Sequence, residues 1–215
     1  MVRSLAFAAL SVAVICTSPA FRAKGADKKK PSVGIYVDYE APPSALAVEA
    51  MKREVGSIMK PTGLGVDWRL LSENRGQEAF ARLVVVRFKG SCRIQPSMDE
   101  VAAGQFALAS TAVTDGHVLP FTEVECEQVR KSLQYAGNED CDQEKQRALG
   151  RAMGRVVAHE LYHALAGTTA HASTGLAKAT QSLRDLVWGV LRFNRADSDA
   201  IRQGVTASFR SSHSE

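Results

Sequence analysis

Residues 159–171 read HELYHALAGTTAH, and no other stretch limits so narrowly what this chain can become. Three of its five histidines stand there. His159 and His163 are four residues apart, so on a helix they share one face about one turn apart and can reach a single cation together. Glu160 falls beside that line rather than on it. Gly167 can take the left-handed conformation that ends a helix, and the turn it makes is what would bring His171 back toward the same face. A fold built on this segment needs a long helix, a stop at 167 and a scaffold that buries the pair.

The flanking sequence supplies such a scaffold. The stretch SVGIYVDY from residue 32 alternates and is rich in β-branched and aromatic residues, which predicts a strand. Pro42, Pro43 and Ser44 form a break, with Ser44 as the N-cap of a helix over 45–59 whose apolar residues gather on one face. Residues 61–65 end it. GVDWRLL and ARLVVVRFKG predict two further strands, the second a near-continuous apolar run suited to a buried central position, with a polar turn at 73–76 between them. Asp115-Gly116 between apolar segments predicts a hairpin with arms at 107–113 and 117–121. After an acidic, loop-like stretch at 137–142, residues 143–165 carry a long helical pattern that ends in the histidine pair. A second helix is expected at about 177–191 and a short one at about 198–204. No internal repeat or linker divides the chain. The order strand, helix, strand, strand, hairpin, long helix, helical tail predicts an α+β domain with a mixed sheet and the histidine helix packed beneath it.

The chemistry follows from the residue types. A catalytic zinc ion takes three protein ligands and keeps one position for water. His159 and His163 supply two neutral imidazoles. Glu160 can take a proton from the metal-activated water, whose pKa zinc lowers to roughly 7, and pass it to a leaving amine. For the third ligand a later glutamate is nearly closed off, because none occurs between Glu160 and Glu215. His171 leads, being close and following a turn; Asp185 and His213 are the competitors. Asp185 stands in SLRDLVW, where it can equally face solvent or pair with Arg184 or Arg192. Tyr162 is turned about 100° from each neighbour on a helix, which suits packing. His117, beside Asp115-Gly116, reads as an exposed turn residue. An HExxH match can arise by chance on a helix; the helical pattern, the glycine stop and the third histidine set this one apart.

HELYHALAGTTAH and the order of elements resemble the metzincin-like zinc peptidases, whose pattern is HExxHxxGxxH with a histidine as third ligand. The segment is also similar to a group of predicted secreted bacterial zincins with the spacing HExxHxxxGxxxH, here His159, Glu160, His163, Gly167 and His171, followed by ASTGLA at 172–177. The resemblance covers most of the chain after the leader, including TDGHVLPFTEVEC. It implies a zincin fold: a mixed twisted sheet with a backing helix, a long active-site helix and a small helical C-terminal subdomain. It implies Zn2+ as cofactor and a peptide or protein as substrate. It further implies that the strand above the metal binds extended substrate through its main chain, where small residues such as Ala107, Ala109 and Ser110 suit close approach; an ordinary sheet strand would read the same way. Two departures stand out. The last histidine comes two residues later than in ordinary metzincins, and Ala177 stands where the similar sequences have a methionine below the metal. A catalytically inactive, metal-stabilised peptide-binding domain is the alternative these departures leave open.

Composition decides compartment and partners. Residues 1–26 begin with Arg3, continue through an apolar run at 5–15 and end in small residues, the layout of a secretory signal peptide. The run is well short of the roughly 20 residues that span a bilayer, so an uncleaved anchor, or a lipid-modified Cys16, is the weaker expectation. Cleavage near Ala26 removes Arg3, Arg22 and Lys24 from 27 basic residues and none of the 23 acidic ones, leaving charge nearly balanced. The lysines at 28–30 then read as a solvated start rather than a nucleic-acid site. No nucleic-acid partner and no stable membrane insertion are expected. The remaining 27–215 form one domain, with 32–166 holding the sheet and metal helix and 167–215 the C-terminal part. Export favours a disulfide. Cys92 with Cys126 is preferred over Cys126 with Cys141, since each closely follows a predicted strand.

Overall fold

The alternating stretch that opens the domain forms β1 (Ser32–Ala41) in the computed structural model, which describes residues 31–94, 107–133 and 142–211. The expected leader at 1–26, the lysines at 28–30, Cys141 with the acidic residues before 142, and His213 lie outside the described residues. Ser44 caps α1 (Ala45–Met59) as expected, its hydroxyl accepting the Ala47 N–H. A 3-10 turn then leads into β2 (Gly65–Leu70), and the polar turn passes to β3 (Arg82–Ser91). The hairpin consists of β4 (Ala109–Thr114) and β5 (His117–Glu125). Its turn residues Asp115 and Gly116 have φ of 50° and 77°, the pair of positive angles that matches strand twist in a two-residue hairpin.

The five strands form one mixed sheet in the order β2-β1-β3-β5-β4. β1 runs parallel to β2 and β3, β3 runs parallel to β5, and β4, one of the two edges, is antiparallel to its neighbour. β3 is central as predicted, but it alternates rather than being buried throughout: Val84, Val86 and Phe88 face the core, while Leu83 is partly exposed. The β4–β5 ladder breaks between Thr111 and Val113. Pro120, which has no N–H to give, falls in that break.

α3 (Asp142–Ala166) lies beneath the sheet and is buried almost all round from Leu149 to Leu165. α1 packs along it at a distance only glycine allows. A Cβ on Gly150 would strike the Ala47 carbonyl oxygen, and one on Gly154 would come within 2.9 Å of the Met51 carbonyl oxygen.

The tail departs from expectation. In place of a helix over about 177–191 there is only α4 (Leu183–Val187), started by a capping box between Ser182 and Asp185 and ended at extended Trp188 and left-handed Gly189. Residues just before it are held by loop pairing instead, with Ala172 N–H donating to the Ala177 carbonyl at 2.8 Å and Leu176 N–H to the Arg192 carbonyl at 3.3 Å. The apolar spacing there reflects burial of Leu176, Ala177, Leu186 and Val187, not a continuous helix. The last helix is longer than expected at both ends, α5 (Arg195–Ser211): it starts earlier because Asn194 and Asp197 cap it reciprocally, and it continues through Gly204 to Ser211. A short polar helix, α2 (Cys126–Leu133), was not foreseen. β5 also runs four residues further than the predicted arm.

Cys92 and Cys126 form a disulfide, tying the end of β3 to the start of α2. Among the described residues no helix is long and apolar enough to cross a membrane. The result is α+β, with a backing helix, a long helix carrying HExxH and a small helical C-terminal region, as the sequence led one to expect.

Candidate metal centre

His159 and His163 sit in the last two turns of α3, on one face, with their Nε2 atoms 3.2 Å apart. Each ring is held by its other nitrogen. His159 Nδ1 donates to the Leu176 carbonyl at 2.8 Å and His163 Nδ1 to the Thr168 carbonyl at 2.7 Å. A carbonyl can only accept, so both Nδ1 atoms carry the proton and, in the neutral rings, both Nε2 atoms present bare lone pairs to one another. Burial favours those neutral rings by pushing both pKa values down from the ordinary histidine range. Two lone pairs at that distance repel unless a cation lies between them. The separation is close to the edge of a tetrahedron whose nitrogens stand about 2.05 Å from a central zinc, roughly 3.3 Å.

Gly167 ends α3 with φ 64°, and the N–H groups of Gly167 and Thr168 both reach back to the His163 carbonyl. The longer reach to His171 is taken up by a small turn in which Ala170 N–H donates to Thr168 Oγ1. This brings the His171 ring within 4.7 Å of His163 and 5.4 Å of His159, centroid to centroid. One ligand atom from each of the three histidines falls within 4.8 Å of the others, so the three could hold one ion. His171 is the exposed member and closes the group from the solvent side. The competitor Asp185 is elsewhere engaged: it pairs with Lys178 at 2.6 Å and caps α4, and its carboxyl is held down at about 2, first by Lys178 and then by Ser182. Its partner is Lys178, not Arg184 or Arg192.

Glu160 points from the same helix toward the sheet and is only 6% exposed. Its Oε2 accepts the Thr111 hydroxyl at 2.6 Å. Burial raises its pKa above the ordinary carboxylate value, and the Thr111 hydrogen bond partly opposes the rise. Tyr162 packs edge-on against His163 and near Phe193, a packing role as expected. His117 is exposed where it starts β5. Ala177 is fully buried, its carbonyl accepting from Ala172, so the loop below the ligands is closed without a methionine.

A cavity of about 770 Å³ opens beside the histidines. Ala107, Ala109, Ser110 and Thr111 line it along β4 and its approach, and Val156 and Leu186 line it as well. The structure thus brings all three small residues singled out for substrate contact to the cavity edge.

Three contributors escaped the sequence reading. Gln181 donates through Nε2 to the Leu176 carbonyl at 2.7 Å, the same oxygen that holds His159. Arg155, fully buried, pairs with Glu54 and donates to the carbonyls of Asp185, Trp188 and Gly189, fixing the cavity floor to α3 one turn before His159. Arginines at 147, 151 and 155 recur every four residues along the helix, and the last stands among apolar neighbours, a readable sign of such a network; Arg151 likewise donates to the Val187 carbonyl at 3.1 Å. Thr111 carried none, since a threonine in a strand looks like any other.

No protein-family model matches the chain, and no curated protein matches it. Among solved structures it is similar to the crystal structure of archaemetzincin from Methanopyrus kandleri, at 9% identity and a TM-score of 0.47, over 83% of this chain and 98% of that one.

Proposed function

We propose that the chain is a secreted zinc metalloendopeptidase of metzincin-like type, one zincin-like catalytic domain with an N-terminal part at 32–166 and a C-terminal part at 167–215. The observation that carries this reading is the facing pair of Nε2 lone pairs at 3.2 Å, each fixed by a carbonyl behind it, with a third histidine closing the group. Imidazole donors in this number suit zinc over hard cations such as calcium or magnesium, which prefer oxygen. His159, His163 and His171 would hold it. Zinc bound there supplies a Lewis acid that acidifies water and polarises a substrate carbonyl.

The chain's own residues provide the rest. Glu160 Oε2 is occupied by Thr111, so Oε1 is the atom that takes a proton from the attacking water and later gives it to the amine nitrogen that leaves. β4 is a sheet edge along the cavity, so an extended peptide can add to it by main-chain hydrogen bonds, with Ala109 and Ser110 small enough for close approach. Export agrees with the Cys92–Cys126 disulfide, a bond that lasts in oxidising compartments.

The test is metal analysis with chelator-sensitive cleavage of an unstructured protein. Glu160→Gln should keep one zinc per chain and lose hydrolysis by at least about a hundredfold, the scale of general-base catalysis. His171→Ala should lower zinc content sharply. Full activity in Glu160→Gln would refute the mechanism, and full zinc in His171→Ala would refute the ligand set.

A further inference from the structure

Glu160 is held, and the direction of each hydrogen bond that holds it can be worked out. Thr111 Oγ1 has a single proton and three acceptors within reach: Glu160 Oε2 at 2.6 Å, Thr122 Oγ1 at 3.2 Å and the Glu160 carbonyl at 3.4 Å. The carboxylate is both nearest and charged, so it takes the proton. Thr122 is directly opposite Thr111 across the β4–β5 ladder and is 2% exposed. Its own hydroxyl is then left to donate to Thr111. The relay runs from Thr122 to Thr111 to Glu160. It lies just before the ladder break at Thr111/Val113, and such breaks re-aim side chains next to functional sites.

We propose that Thr111, backed by Thr122, is a positioning residue that fixes the Glu160 carboxylate, with Oε2 tied to the substrate-binding edge strand and Oε1 left for the reacting water. This rests on the peptidase reading above. Thr111 does not itself touch the reacting atoms; it restricts a carboxylate that could otherwise turn away from them. Since catalysis by a positioned base depends on holding it near the attack geometry, freeing it should reduce turnover and spare substrate binding.

The experiment uses the zinc-loaded chain with Thr111→Val, Thr111→Ser and Thr122→Val, and an unstructured peptide as substrate. Thr111→Val should keep full zinc and lose about thirtyfold in kcat with KM within about twofold, Thr111→Ser should stay within about threefold of the parent, and Thr122→Val should fall between. A kcat unchanged in Thr111→Val overturns the proposal. A second readout does not depend on activity. Thr111→Val should lower the thermal midpoint by about 4 °C in the parent, where it strands a buried carboxylate, and by about 1 °C or less in a Glu160→Leu background. Equal drops in both backgrounds would show that Thr111 merely knits the hairpin, and would overturn the proposal. If the zinc-loaded parent cleaves nothing, the peptidase reading fails by itself, while unequal drops would still establish that Thr111 holds Glu160.

Discussion

The seam between α1 and α3 makes a test of how the histidine helix is held. Adding one methyl at Gly150 places it on the Ala47 carbonyl oxygen, 2.7 Å from the Ala50 Cβ and 2.9 Å from the Ala47 carbonyl carbon. All three lie on rigid helix backbone or next to it, so the methyl fits only if the helices part by about 1 Å. Overpacking of this kind costs about 1–3 kcal/mol. Alanine returns up to about 1 kcal/mol through better helix propensity. With the full return the net loss in Gly150→Ala is centred on about 1 kcal/mol, a fall of about 3 °C in thermal midpoint at 2–4 °C per kcal/mol for a chain this size. Gly56 on α1 is the control, because it is exposed and a Cβ there meets nothing within 4 Å. Gly56→Ala should gain about 1 kcal/mol, with the opposite sign. Urea unfolding followed by circular dichroism measures both. Zinc affinity should fall with Gly150→Ala alone, since displacing α3 lengthens the bonds from His159 and His163 to the carbonyls that orient them. A Gly150→Ala chain as stable as Gly56→Ala would refute the claim that α1 fixes α3 by close backbone contact.

Two further outcomes are expected. Gln181→Leu should weaken zinc binding by about tenfold in a chelator competition with little change in unfolding midpoint, because Gln181 steadies the Leu176 carbonyl that orients His159; an unchanged affinity would show that the loop holds itself. Asp185 releases its proton more readily folded than unfolded, its pKa lying at about 2 against 3.8, so the unfolded chain binds more protons between these values. The stability this carboxylate adds is complete above about pH 4 and disappears as pH falls toward 2. Allowing for the solvent that reaches its pair with Lys178, it amounts to about 1 kcal/mol. Comparing parent with Asp185→Asn between pH 5 and 2 isolates it, and a stability difference that does not shrink with acid would contradict the assignment.

The elements with strong local signals were legible. β1, α1, β3, the β4–β5 hairpin and the long helix follow from period, caps and turn residues: Ser44 marks the start of α1 and Asp115-Gly116 the hairpin turn, by backbone chemistry that acts within a few residues. The tail was less so. The sequence at 176–191 has helix-like apolar spacing, but Leu176 and Ala177 are buried in a loop whose backbone pairs with Ala172 and Arg192, a competition that no window of local sequence records. Asn194 and Asp197, a local cap signal, set the start of α5 three residues before the expected one, while its run past Gly204 has no comparable local marker.

The site divides along the same line. His159, Glu160 and His163 lie on one helix, where spacing alone sets their relation, and the glycine at 167 points the chain toward His171. What prepares those residues for chemistry comes from distant strands and loops. The carbonyls of Leu176 and Thr168 select the histidine tautomers, Thr111 on the edge strand holds the carboxylate, and Arg155 ties the cavity floor to the helix. A backbone carbonyl has no letter of its own in a sequence, so two of the three histidines owe their readiness for a cation to atoms that residue identity cannot reveal. The bare Nε2 pair is therefore a stronger ground for a metal than the HExxH spelling. Chance can produce the spelling, but it would also have to place two carbonyls behind two rings and a third histidine in front of them.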